Sequence, residues 1–476
     1  MMRADFARFT ALLVALCLLA FPHKSPAAQT RALPDQQAIA ITDVTVIDVE
    51  RGRSIGPRTV LIDNGRIVAI TAPYAAAIPA GARRVSGRGK FLVPGLVDMH
   101  VHLFNLSTRR PPSDWAFPLF IANGVTGVRE MRSDTASIIQ VNRWRKALDD
   151  GALVAPRILA AGIAVHGSSP DDAARQVDAA GEVGADFIKV FSGVPESHWR
   201  AILVAAKARS LPVVGHVPAG VSLLTAATSG HRGNEHLMQA YEACSSVEAA
   251  LLEERRDLAG EALVARRDEH ETKALAAFDR DTCRRIAKAL AVTGQAQVPT
   301  MVLAEGDSFH KKSRPDADPR WRFLRADERT RWDRFIAGYT AQDSALEKQR
   351  WPVTRQIVSA MHEAGVTIMT GTDSPMPGVY PGYSLHEEMA MLVEAGLTPH
   401  AALRSATLTP AEFLGQSATL GSVAAGKRAD LVLLDADPTK DIRNTRRIQA
   451  VLINGRLLQR AAIDALLADA ARAQAP

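Results

Sequence analysis

Cysteine is nearly absent from this chain. Only Cys17, Cys244 and Cys283 occur among 476 residues, too few for a fold held by a disulfide framework. Long basic runs are missing too. The formal charge of +6 is scattered. There is no lysine–arginine stripe and no helix-turn-helix or zinc-finger spacing, so no nucleic-acid partner is expected. No apolar run reaches transmembrane length. The best candidate, Thr10 to Phe21 (TALLVALCLLAF), holds 12 residues and is stopped by Pro22, short of a bilayer span. Arg3 and Arg8 precede it, and Ser25-Pro26-Ala27-Ala28 follow. Residues 1–28 therefore read as a secretory signal cleaved near Ala28. The expectation is a secreted or periplasmic protein with no stable membrane insertion after cleavage. Cys244 and Cys283 then remain. They are compatible with an oxidising compartment, and their pairing is left open.

What is present is ordinary globular material, 47% hydrophobic and 23% charged, in a length that predicts a large domain plus a smaller one. Residues 38–90 alternate short apolar runs with turn signals. AIAITDVTVIDVE and RTVLIDNGRIVAI predict an antiparallel sheet with Asn64-Gly65 as a hairpin turn. ADLVLLDAD and QAVLINGRLL, with Asn454-Gly455, have the same texture. A small β-sandwich domain built from both terminal segments, 38–90 and 416–462, is expected. Between them, residues 91–415 alternate β-rich runs (GVTGVRE, PRILAAG, ADFIKVF, LPVVGHV, QVPTMVL, VTIMTGTD) with amphipathic helices. Eight such units predict an α/β fold of the (β/α)8 TIM-barrel type. A doubly wound sheet is the alternative, but it gives no reason for polar residues at so many strand ends. The charged helical stretch 245–350 reads as the sixth and seventh barrel helices plus a cap.

Those polar residues carry the chemistry. His100 and His102 close the run FLVPGLVDMHVHL. Side chains two apart on a strand share a face, so both imidazoles can reach one centre. Imidazole suits zinc and similar divalent ions. Four more candidates follow at strand ends. Lys189 sits in FIKVF, His216 in VVGHVP, His236 in NEHL and Asp373 in TGTDSP. A buried lysine held as the free amine can react with CO2, giving a carbamate that bridges two cations; alone it is an ordinary strand-end lysine. Asp373 can hold a metal through one oxygen and take a proton through the other; alone it is also a good turn residue. His166, in GIAVHGSS, and Tyr241, after the His236 strand, are candidates for substrate contact. A barrel of this type places its active site at the C-terminal ends of its strands, where all six metal candidates fall.

The order of these residues resembles the amidohydrolase superfamily over nearly the whole mature chain. VPGLVDMHVHL is similar to its first-strand metal motif and IMTGTDSP to its eighth-strand aspartate motif. GSVAAGKRADLVLLDADP and AVLINGRLL resemble its returning C-terminal sheet. FIKVFSG, VVGHVP and NEHL resemble the branch of imidazolonepropionase-like proteins and secreted Xaa-Pro dipeptidases (prolidases). The resemblance implies two divalent metal ions, usually zinc. His100, His102 and Asp373 hold one, His216 and His236 the other, and a carboxylated Lys189 bridges them with a hydroxide.

The function that follows is hydrolysis of an amide C–N bond in a small molecule or dipeptide, of Xaa-Pro type within that branch, with Asp373 as the catalytic proton carrier and His166 or Tyr241 near the attacked carbonyl. The same centre permits hydrolysis of cyclic amides, lactones or phosphoesters. A catalytically silent metal-binding protein is a further alternative, although such proteins usually lose ligands and this chain keeps all six. A homo-oligomer is left open.

Overall fold

The computed structural model describes residues 37–474, except 74, 76, 105–111, 257, 259 and 304–317. The signal read at residues 1–28 lies outside the described residues. Among those described, no helix is long and apolar enough to cross a membrane.

Both Asn-Gly pairs make hairpin turns. Asn64 and Gly65 take φ of 48° and 69° and join Arg53–Asp63 to Arg66–Thr71. Asn454 and Gly455 take 47° and 74° and join Ile448–Ile453 to Arg456–Gln459. Two successive positive φ values match the twist of paired strands, and asparagine and glycine tolerate them. Strand Leu431–Leu434 pairs antiparallel with Phe91–Pro94, so the two terminal segments complete one eight-stranded sheet. Its own core includes Ile41, Val60, Ile62, Leu92, Leu431 and Leu452.

Phe91–Pro94 leads through Gly95 into the first barrel strand, Leu96–Val101. A β-carbon at Gly95 would lie 1.9 Å from Thr126 Oγ1, so only glycine fits this junction. Seven parallel strands follow one another around the barrel: Leu96–Val101, Val125–Ser133, Arg157–Ala164, Phe187–Val190, Val213–Gly215, His231–Glu235 and Ala296–Val298. The eighth position is taken by an irregular stretch. It closes the ring through Met369 N donating to Gln297 O (2.9 Å) and Met99 N donating to Thr370 O (3.0 Å), with bridges Gln297–Ile368 and Val101–Ser374. Asp373 at φ 65° and the proline that follows at 375 cannot continue a ladder.

The barrel interior is filled by Val97, Met99, Val298 and Met369 in one cluster and Met131, Ala160, Phe187 and Val214 in another. Phe413 and Leu414, at the end of helix Leu408–Phe413, pack against both. The charged middle segment is helical, with Glu248–Arg255, Arg267–Ala276, Arg280–Thr293, Ala326–Gly338 and Ala341–Glu363. Cys244 and Cys283, 39 positions apart, form a disulfide there. A C-terminal helix, Arg460–Ala473, packs Ala470 with Leu119 and Phe323; the hydrophobic pattern had not singled it out.

Candidate metal centre

Five of the six metal candidates are joined by short contacts. Asp373 Oδ1 is 2.8 Å from His102 Nε2 and 3.4 Å from His100 Nε2, and Asp373 Oδ2 is 4.0 Å from His236 Nε2. The rings of His100 and His236 are 4.6 Å apart, and those of His216 and His236 are 5.0 Å apart. One ligand atom from each of His100, His102 and Asp373 lies within 4.8 Å of the others. Lys189 is fully buried and lines the same cavity as His102, His216, His236 and Asp373, about 400 Å³ in volume. His236 and Asp373 hold positive φ of 59° and 65°. Such strain in non-glycine residues persists only where the surroundings fix it.

The donor set fits divalent ions. Among the described residues, His100 Nε2 and Lys189 Nζ are buried without a hydrogen-bond partner, a state that metal binding at the site would relieve. Burial holds the His100 and His216 imidazoles well below their usual pKa and brings His236 to about 4, so each keeps a lone pair at neutral pH. Burial also lowers Lys189 to about 8 against the opposing pull of Glu235 and Asp373, which makes free amine accessible. At Asp373 burial pushes upward, but His102, His236 and Lys189 prevail and keep the carboxyl below its ordinary range.

Residues that the sequence reading did not single out hold these side chains. Glu235 Oε2 is 2.8 Å from His100 Nδ1, while Arg129 Nη2 donates to Glu235 Oε1 (2.7 Å). Thr300 donates its hydroxyl to Pro299 O (2.8 Å), so His236 Nδ1 donates to Thr300 Oγ1 (2.7 Å) and Nε2 is left free. Asp98 ties the two ends of the barrel together. It accepts from His100 N (3.1 Å), Thr372 N (3.0 Å) and Thr372 Oγ1 (2.6 Å). Glu235 and Asp98 adjoin His236 and the HxH pair in sequence, and that adjacency was the available signal. Nothing local marks Arg129 or Thr300.

Two candidates lie elsewhere. Tyr241 is buried in the main core, and its hydroxyl meets Thr354 Oγ1 at 2.8 Å. The left-handed residues His236, Leu237 and Gln239 turn the chain and carry Tyr241 away from the cavity. His166 is exposed and stacks on Phe191 with centroids 5.3 Å apart, beside the metal cavity rather than in its lining.

Residues 91–458 match the model of the amidohydrolase family. The chain belongs to that family. Among curated relatives, the imidazolonepropionase of Shouchella clausii (strain KSM-K16) is 34% identical over 103 residues, 21% of this chain and 23% of that protein. The chain thus spans under a quarter of that relative's length. Among solved structures, a bottromycin amidohydrolase superposes with a TM-score of 0.71 at 24% identity, covering 95% of this chain and 94% of that one. A Xaa-Pro dipeptidase with bound methionine superposes at 0.61 and 20% identity, covering 89% and 100%. These likenesses establish a shared fold.

Proposed function

We propose that the chain is a metal-dependent hydrolase that cleaves an amide C–N bond in a small substrate. The observation that carries this reading is the convergence of His100, His102 and Asp373, with ligand atoms within 4.8 Å of one another, in a cavity shared with His216, His236 and Lys189. His100, His102 and Asp373 would hold one ion, and His216 and His236 a second. Lys189, carboxylated by CO2 with loss of one proton from its amine, would bridge them. Zinc suits so many imidazoles. Such ions, when bound, supply a nucleophile from water near neutral pH and polarise a carbonyl.

The chain's own residues supply the rest. Asp373 is held ionised, so its carboxylate can take the proton of the attacking water and pass it to the leaving nitrogen. Glu235 and Thr300 keep His100 and His236 in the tautomers with Nε2 free. The solved Xaa-Pro dipeptidase supports dipeptides among the substrates through a shared fold. The Cys244–Cys283 disulfide supports export to a secreted or periplasmic location, since such bonds persist in oxidising compartments.

The test is metal analysis of the purified chain together with Asp373→Asn. About two ions per chain are expected. The variant should keep its metal and lose hydrolysis of dipeptides and N-acyl amino acids. A metal-free active chain, or full turnover by the variant, contradicts the reading.

A further inference from the structure

Arg255 ends helix Glu248–Arg255 and is 2% exposed. An arginine gives up its water so completely only where acceptors replace it. Here there are four. Nη1 donates to Ala219 O (3.1 Å) and Gln239 Oε1 (3.0 Å), Nη2 to Glu242 Oε1 (2.9 Å), and Nε to His270 Nδ1 (2.6 Å). The guanidinium has no lone pair to offer, so Nδ1 must be the acceptor. Burial and the adjoining Arg255 hold His270 below its usual pKa, so the ring stays neutral and keeps that lone pair.

Two of these acceptors lie on the segments that leave the strands of His216 and His236. Ala219 is three residues after His216, and Gln239 is three residues after His236. Both accept from the same nitrogen, so one atom sets how far apart the two segments run. The first segment is also tied to its neighbour, with His216 N donating to Val190 O (2.9 Å) and Ala219 N to Ser192 O (2.9 Å). The second is a turn in which His236, Leu237 and Gln239 take φ of 59°, 53° and 63°. Such backbone persists only where its surroundings fix it. Thr300 fixes the rotation of the His236 ring, and Arg255 grips the far end of the turn through Gln239 and Glu242, on either side of helix Ala240–Ala243. We propose that Arg255 is a positioning residue for the second ion: it holds the backbone beyond His216 and His236 and so sets the spacing of their rings, 5.0 Å apart. This rests on the two-ion reading of the site. None of its four partners lies on the segments carrying His100, His102 and Asp373, so the effect is confined to one ion.

The experiment titrates the purified chain with zinc against a chelator and reads a dissociation constant for each ion. Gln239→Leu deletes one acceptor and leaves Glu242 paired with Arg255. Arg255→Lys keeps the charge but cannot span all four partners. Each variant should weaken the second ion by at least about tenfold, the lower end for groups that orient a ligating histidine, with the first ion held as in wild type. Gln239→Glu keeps an oxygen at the same place and should restore the affinity. Equal weakening of both ions in step with a lowered Tm would make Arg255 a structural residue only and overturn the proposal, as would two unchanged affinities. If wild type binds fewer than two ions, the two-ion reading fails, and crystal structures of metal-free wild type and metal-free Gln239→Leu decide the inference separately. A changed His216–His236 separation with the His100–His102 pair in place upholds it, and superposable rings overturn it. Thermal melts verify that each variant is folded, with Gln239→Met as the replacement if the leucine variant is not.

Discussion

Glu235 Oε2 lies 2.8 Å from His100 Nδ1 with both side chains fully buried. The carboxylate can only accept, so His100 donates from Nδ1 and presents Nε2 to the cavity. Arg129 compensates the buried charge through Glu235 Oε1 at 2.7 Å and anchors itself by donating from Nε to Met99 O at 2.6 Å. Three strands are thereby tied to the orientation of one imidazole.

Replacing Glu235 tests that tie in two ways. Glu235→Gln should lower metal affinity by about 10–100-fold, the range typical of partners that orient a ligating histidine; competition with a chelator reads this directly. Glu235→Ala leaves Arg129 buried without its partner and should cost about 3–5 kcal/mol in urea unfolding. Unaltered metal retention in both variants would remove Glu235 from the account.

Thr300→Val keeps the side-chain shape but deletes the oxygen that receives His236 Nδ1–H at 2.7 Å. The expected result is selective loosening of the second ion proposed for His216 and His236. On dialysis the stoichiometry should fall toward one per chain while wild type holds its full complement. A stoichiometry matching wild type under the same dialysis would show that Thr300 does not position His236.

Glu388 gives the chain a pH dependence of its own. Burial raises its carboxyl to about 8; Oε2 accepts from Val302 N at 2.8 Å, and Oε1 has no hydrogen-bond partner among the described residues. The folded state therefore binds this proton more tightly than the unfolded chain. The protonated carboxyl favours the fold fully below its ordinary 4.5, and that contribution is lost as pH rises through about 8. Glu388→Gln stays neutral throughout. Its Tm relative to wild type should rise by at least about 2 °C between pH 5 and pH 8.5. A difference that stays constant with pH would assign the loss to other groups.

The Cys244–Cys283 disulfide closes a segment spanning 39 positions. Chain-entropy reasoning assigns such a loop about 4 kcal/mol of stabilisation. Cys283→Ser should lower the unfolding midpoint accordingly, and intact wild-type protein should show no reactive thiol at either position. A free thiol in the folded, non-reduced protein would contradict the pairing.

Much of this architecture was legible because its signals are local. The Asn-Gly turns, the β-rich runs and the histidines at their ends each depend on a few adjacent residues. The irregular eighth position was harder, since VTIMTGTD has strand composition while Asp373 takes a left-handed backbone that the composition does not reveal. Tyr241 shows the opposite error. Proximity to His236 in sequence suggested the cavity, but three left-handed residues between positions 236 and 239 redirect the chain into the core. Arg129 and Thr300 were invisible for another reason. Each contacts its partner across a wide separation, Arg129 with Glu235 over 106 positions and Thr300 with His236 over 64. Only the closed barrel brings them together.

The strand that introduces the HxH pair is synthesised early and buttressed late. Phe91–Pro94 finds its antiparallel neighbour only when Leu431–Leu434 has left the ribosome. Until then a growing chain presents an open strand edge beside two histidines, a template for association with other chains. A chain interrupted before residue 431 is therefore expected to aggregate.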